Sequence, residues 1–167
     1  MNDFEPFYNR LPTGLIVSTF AIAILLDFIP SNPSVFFWLP EFSALILLYW
    51  ALNAPHIVSI GIAFLIGLII DIGTAAPLGQ HALSYVLITF VAQHYQRQIM
   101  LRGYGEQSVA VCIALLANVV ILMVLRLLYD HRLGNFSTLV SPIIGALLWP
   151  LLNKIMLTVL NFRRNRR

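Results

Sequence analysis

Residue types that could carry chemistry are few in this sequence, and they lie far apart. No pair among the four histidines has a metal-binding spacing such as His-Glu-x-x-His; they are His56, His81, His94 and His131. The single cysteine, Cys112, lies in an apolar stretch with no second thiol for a disulfide or a metal site. The sequence has no Walker loop, no Gly-x-Ser-x-Gly motif and no run of paired carboxylates. We therefore expect a protein that is not an enzyme and that holds no metal and no cofactor.

The composition indicates a membrane protein. Of the 167 residues, 59% are hydrophobic and only 10% are charged, whereas a soluble domain uses about a quarter charged residues to face water. The net charge of +3 is small and is concentrated at a few positions. That pattern is typical of orientation in a membrane, and we expect no nucleic-acid partner. The length suits one compact membrane domain.

Apolar runs predict an all-α fold, a polytopic membrane bundle of about six transmembrane helices. Each run approaches the roughly 20 residues that a helix needs to cross a bilayer core of about 30 Å. Proline, glycine and charged residues mark the ends of the runs. The whole chain, 1–167, is predicted to form a single transmembrane domain, with helices over residues 12–29, 35–52, 57–72, 78–95, 108–129 and 139–161.

The start of the second helix has two interpretations. Proline is tolerated in a first helical turn and a carboxylate there suits the helix dipole, so the helix can begin as late as Pro40, with Glu41 next to it. In that case the aromatic run at 36–38 lies at the membrane interface.

Arginine residues predict the orientation in the membrane. With six spans, the loops and termini hold seven arginines on the side that carries both termini and one on the other side. Short cytoplasmic loops are enriched in Lys and Arg, so both termini are expected in the cytoplasm. The first set is Arg10, Arg97, Arg102, Arg163, Arg164, Arg166 and Arg167, and the second is Arg132.

The third predicted helix carries a stripe of small residues that ends in an acid. Ser59, Ala63, Gly67 and Asp71 are spaced by four and lie along one helix face. Small residues at this spacing let another helix backbone approach closely. Packing inside the protein's own bundle is the favoured interpretation, and contact with a partner's helix is the alternative. Asp71 is expected at the outer end of the helix, within reach of water or headgroups.

Charged residues near the membrane map to the outer side under this topology. They include Asp27, Arg126 and Asp130. Near the boundary, Arg126 is expected to snorkel or to pair with Asp130 one turn along. A charged site for a partner or a ligand is the alternative.

The segment from Pro40 to Leu83 resembles the MreD family of rod shape-determining proteins, in its proteobacterial form. A second patch, Gly145 to Pro150, looks like the last helix of that family, and the helix count, the length and the basic tail fit throughout. The positions that carry the resemblance include Tyr49, Trp50, Pro55, His56, Gly61, Gly67, Asp71, Leu78, Gly79, Trp149 and Pro150.

The resemblance implies a non-enzymatic component of the elongation (Rod) complex in the bacterial inner membrane. Family members are similar in helical arrangement to the substrate-binding subunits of energy-coupling-factor transporters. The implied partners are membrane lipid, a bitopic protein of the MreC type and, through it, MreB, RodA and the elongation transpeptidase. Together these organise lateral peptidoglycan synthesis and maintain rod cell shape.

Two other functions remain open from the sequence. One is a small-molecule-binding subunit of an uptake transporter, for which polar and aromatic groups must converge on a cavity; Tyr85, Asn118, Trp149 and Asn153 are the candidates. Structural hydrogen bonds between helices are the favoured role of the two asparagines. The other function, an enzyme acting on a lipid-linked substrate, is disfavoured because the motifs are missing.

Overall fold

The computed structural model describes residues 13–29, 38–130 and 136–164, excepting the side chains of 130, 136, 163 and 164. These residues form helices and turns, with no strand among them, which confirms the all-α prediction. The helices are α1 (Thr13–Phe28), α2 (Phe42–Asn53), α3 (Ile60–Gly73), α4 (Gln80–His94), α5 (Gln96–Met100), α6 (Tyr104–Asp130) and α7 (Ser141–Arg164), with a 3-10 turn at Phe136–Val140 before α7.

The chain divides into two compact units. The first unit contains α1 to α4, and the second contains residues 38–41 together with α5, α6 and α7. In the first unit α2 packs against both α1 and α4, and α3 packs against α4. In the second unit α6 packs against α7, and α5 contacts α6.

Helix α2 is short and enclosed. It has 12 residues, and every position from Ser43 to Leu52 is buried. At a rise of 1.5 Å per residue its length is about 18 Å, which is less than the bilayer core of about 30 Å. A helix that is apolar all round and short is typical of a buried core element.

The second helix begins at Phe42, later than either predicted start. The backbone N–H groups of Phe42 and Ser43 donate to the two carboxylate oxygens of Asp27, at 2.9 and 2.8 Å. Asp27, at the end of α1, therefore satisfies donors that a helix start leaves unpaired. Pro40 has no N–H of its own, and Trp38 and Leu39 lie in a turn. The predicted start at Val35 and the aromatic pair at 36–37 lie outside the described residues.

Helices α6 and α7 run antiparallel. Gly145 faces Leu115, and four residues further along α7 the indole of Trp149 reaches Gln107, nearer the start of α6. The two helices are long and apolar enough to cross a membrane, whereas α1, α2 and α3 are shorter apolar helices. The count of six crossings stays a prediction. Helix α6 begins four residues before the predicted Ser108, and α5 occupies part of the segment predicted to be a loop.

Candidate functional site

Asp71 organises the junction between α3 and α4. Its carboxylate accepts hydrogen bonds from the backbone N–H groups of Gly79, at 2.8 Å, and His81, at 2.9 Å. It also lies 2.7 Å from Nδ1 of the His81 ring. These three contacts place an acid from the last turn of α3 over the first turn of α4, where a carboxylate is stabilised by free N–H groups and by the helix dipole. We name Asp71, Gly79 and His81 the polar junction.

The turn between the two helices is shaped to make this junction possible. Gly79 has a φ of +95°, a backbone conformation that glycine adopts without a steric penalty. Ala75, at the start of the turn, has a φ of 52°, which an L-residue with a Cβ adopts only at some cost. The chain thus reverses within a few residues and brings the N–H of Gly79 back to the carboxylate.

Gly67 lies directly against the backbone of α4. A Cβ at this position would contact the backbone of Ala82 and would lie 2.7 Å from the carbonyl carbon of His81. Ala63, one turn earlier, is fully buried. Only a residue without a side chain admits this approach, so the middle of the stripe packs inside the first unit.

The stripe differs from the predicted one at both ends. Asp71 was expected within reach of water, and this was wrong: it is fully buried, because α4 covers it and supplies its hydrogen-bond donors. Ser59 is exposed and precedes the first helical residue, and its side chain makes no capping hydrogen bond. Gly61 is also exposed, and a Cβ there would meet only the Ser59 hydroxyl at 3.6 Å.

The geometry of the polar junction suits a structural role, which is to fix the start of α4 against the end of α3. An Asp–His pair can assist proton transfer when a substrate reaches the imidazole. Here His81 is 3% exposed and its Nδ1 faces the carboxylate. The sequence pattern did not predict the contact of His81 with Asp71. The signal that could have indicated it is the position of His81, two residues after Gly79 in the turn and ten residues after Asp71. Among the described residues, no group of three His, Cys, Asp or Glu could hold a metal ion.

The family-motif residues of the first unit are divided between its core and its turns. Tyr49 and Trp50 are buried in α2 with their rings edge to face, 5.1 Å apart. The indole N–H of Trp50 donates to Thr19 Oγ1 of α1 at 2.9 Å. Pro55 and His56 lie in the turn that follows α2, where His56 is exposed. Leu78, in the turn before α4, is also exposed.

In the second unit, polar side chains connect the elements. The amide nitrogen of Asn118, in the middle of α6, donates to the Glu41 carboxylate at 2.8 Å. The indole N–H of Trp149 points to the amide oxygen of Gln107 at 3.4 Å. Asn153 instead donates to the backbone carbonyl of Trp149 within α7. The bond described for Asn118 thus links α6 to the segment before α2 and not to another helix, and the bond described for Asn153 stays in its own helix.

The remaining predicted positions are more exposed. Asp27 is half-buried at the end of α1, where it caps α2. Arg126 is exposed near the end of α6, and its predicted pairing partner, the Asp130 side chain, lies outside the described residues. Pro150 is exposed inside α7, which continues past it.

Comparison with known proteins gives the chain a family. The model of the rod shape-determining protein MreD family matches residues 9–160. The rod shape-determining protein MreD of Haemophilus influenzae is 30% identical over 137 residues, which cover 81% of this chain and 83% of that protein. No solved structure matches the chain significantly. Because the family match spans both units, the chain belongs to the MreD family of rod shape-determining proteins.

Proposed function

We propose that this chain is a non-enzymatic, multi-pass component of the bacterial inner membrane that takes part in maintaining rod cell shape. It would act by organising the machinery for lateral peptidoglycan synthesis. The observation that carries the proposal is the family match over residues 9–160, which includes all seven described helices except the end of α7.

The packing of the described helices supports a structural role. Asp71 and His81 are residues of the first unit whose types could take part in proton transfer. Their hydrogen bonds instead hold α3 on α4. The indole of Trp50 is used to hold α2 on α1. Groups that are enclosed by the protein and already hydrogen-bonded within it are poorly suited to bind or turn over a substrate.

Large apolar side chains cover the outside of the described helices. On α6 they include Val109, Ile113, Val120 and Val124, all about half exposed or more. Extended apolar surface of this kind is covered in the native environment by lipid or by other helices. We propose lipid over most of it and a bitopic protein of the MreC type over part, which would connect the chain to MreB, RodA and the elongation transpeptidase.

Depletion in a rod-shaped host tests the proposal. Cells should become round and lateral wall synthesis should lose its localisation, and a copy of this chain supplied in trans should restore both. Labelled wall-precursor incorporation, imaged over time, is the measurement. Unchanged rod shape after depletion to undetectable levels would refute the proposal.

Purification in mild detergent separates the rival functions. Co-purification of the MreC-type protein, identified by mass spectrometry, is the expected result. A stoichiometric vitamin or similar small molecule would favour an uptake subunit, and turnover of a wall precursor by the purified chain would favour an enzyme. Either outcome contradicts the structural role proposed here.

A further inference from the structure

Three basic side chains of the second unit lie near the level at which α6 begins. Arg97 is on α5, Arg102 is in the turn before α6, and Lys154 is on α7; all three are exposed. Their positions along the helices follow from the antiparallel register of α6 and α7, in which Trp149 lies beside Gln107.

Arg102 and Lys154 lie at about the same level. Each is five residues from the Gln107–Trp149 contact, and both lie on the same side of it because the helices run in opposite directions. Helix α5, with Arg97, contacts α6 and is separated from its first residue only by residues 101–103. We name Arg97, Arg102 and Lys154 the basic band.

The residues around the basic band are apolar and aromatic rather than polar. Leu101 is 83% exposed, and Ile155, next to Lys154, is about half exposed. Tyr95 and Tyr104 border α5 and are also about half exposed. Exposed leucine and tyrosine among cations are unfavourable in water but are typical of the membrane interface, where aromatic rings lie at headgroup level and apolar side chains enter the acyl region.

Only one acidic side chain pairs with the basic band among the described residues. Arg102 Nε lies 3.5 Å from Glu106 Oε2, and both side chains are more than 60% exposed. Such a surface pair is weak and is screened by salt. Arg97 and Lys154 have no ion pair with an acidic group that the structure describes. Positive charge therefore remains available to an anion.

We propose that the basic band binds the phosphate groups of anionic phospholipids. The charge is complementary to lipid phosphate, and the neighbouring leucine, isoleucine and tyrosines suit the apolar part of the same molecules. An acidic protein segment would match the cations but not the exposed apolar side chains between them. This inference rests on the proposed membrane location of the chain.

Lipid titration of the purified full chain tests the proposal. Native mass spectrometry in mild detergent would compare retention of phosphatidylglycerol with that of phosphatidylcholine. We expect preferential retention of phosphatidylglycerol, weakened about fivefold by each of Arg97→Gln, Arg102→Gln and Lys154→Gln. The triple variant should retain both lipids equally. Raising the ionic strength from about 0.1 M to 1 M shortens the Debye length from about 10 to 3 Å, and should reduce the preference of the unmodified chain.

Two control variants separate this site from general attraction to positive charge. Arg126→Gln removes an exposed arginine near the other end of α6 and should leave phosphatidylglycerol retention unchanged. Glu106→Gln removes the carboxylate beside Arg102 and should increase retention. An equal loss with Arg126→Gln would mean that net charge alone attracts the lipid, which overturns the proposal.

The remaining outcomes are also decisive. A triple variant that still prefers phosphatidylglycerol refutes the basic band. If it keeps the lipid but loses binding of a polyglutamate peptide, the band is a site for an acidic protein segment instead. Incorporation of the chain into lipid nanodiscs is measured separately. Failure to incorporate contradicts the membrane location. Normal incorporation without a preference for phosphatidylglycerol contradicts only the lipid site at the basic band.

Discussion

Gly67 and Gly61 lie on the same helix, α3, but have different surroundings. Gly67 meets the backbone of α4, whereas Gly61 faces open space apart from the Ser59 hydroxyl. The sequence spacing predicted close approach along the stripe, which contains Gly67 and has Gly61 beside it, but it could not show which of the two glycines lies against a backbone. That difference depends on where α4 crosses α3, which is set by the turn and by the Asp71 contacts.

Gly67→Ala should destabilise the protein, because the added methyl group requires α3 and α4 to move apart. Overpacking of this kind costs about 1–3 kcal/mol. The measurement is thermal stability in detergent, followed by fluorescence-detected gel filtration of a tagged chain. We expect a lower melting temperature and less folded protein.

Gly61→Ala is the matched control for that prediction. Both substitutions add one methyl group to α3 and remove the same backbone freedom, but only one meets a neighbouring backbone. Gly61→Ala should leave stability unchanged or raise it slightly. Equal destabilisation by the two variants would contradict the packing of α3 on α4 described here.

At the scale of elements, a carboxylate near the end of one helix fixes the first turn of another helix in two places. Asp27 caps α2 and Asp71 caps α4. The sequence indicated both residues as charges near the outer side, since each follows an apolar run. It could not indicate their partners, because these become neighbours only when the helices pack.

Asp71→Asn should weaken the attachment of α4 to α3. The amide keeps one accepting oxygen but replaces the other with a donor, which leaves the backbone N–H of either Gly79 or His81 without its acceptor. Each unsatisfied buried group costs about 1–3 kcal/mol. We expect a clear loss of thermal stability, together with faster hydrogen exchange at Gly79 and His81.

Glu106→Gln serves as the control for the charge change. Glu106 is exposed and pairs only weakly with Arg102, so its neutralisation should change the free energy of unfolding by less than about 0.5 kcal/mol. A loss as large as that of Asp71→Asn would show that the effect follows net charge and not the cap.

The Glu41–Asn118 hydrogen bond should appear as an energetic coupling within the second unit. A double-mutant cycle with Glu41→Gln and Asn118→Leu isolates it, because the change in unfolding free energy of the double variant is compared with the sum of the changes in the two single variants. Polar side-chain bonds between membrane helices typically contribute about 0.6 kcal/mol, with a maximum near 1.7. A coupling of zero would mean that the contact carries no stability.

For the whole molecule, the sequence predicted the helical class and the family but not the lengths of the helices. Apolar runs between 35 and 52 or 57 and 72 have the composition of a membrane span, yet α2 and α3 are only 12 and 14 residues long. Composition cannot separate lipid-facing from protein-facing apolar residues. Turns occupy part of the apolar runs and so leave shorter helices. The turn over residues 54–59, held by backbone bonds to the Ala54 carbonyl, is one example.

Topology is the prediction that belongs to this scale. Reporter fusions near Ser31, Thr74 and Asn135 should give a periplasmic signal, and fusions at Gln98 and the C-terminus a cytoplasmic one. The reason is the distribution of arginine, because six spans would place Arg97 and Arg102 on the side of the basic tail. A periplasmic signal at Arg167 would contradict the arrangement of six spans.

The enclosed helix α2 has a consequence for how the protein is made. A nascent segment that enters the bilayer by itself must face lipid on every side, but the final environment of α2 is α1 and α4. Its last neighbour, α4, is synthesised about 40 residues after α2 begins. Helix α2 can therefore reach its final surroundings only after α4 has been synthesised, so the packing around α2 is completed late in the synthesis of the first unit.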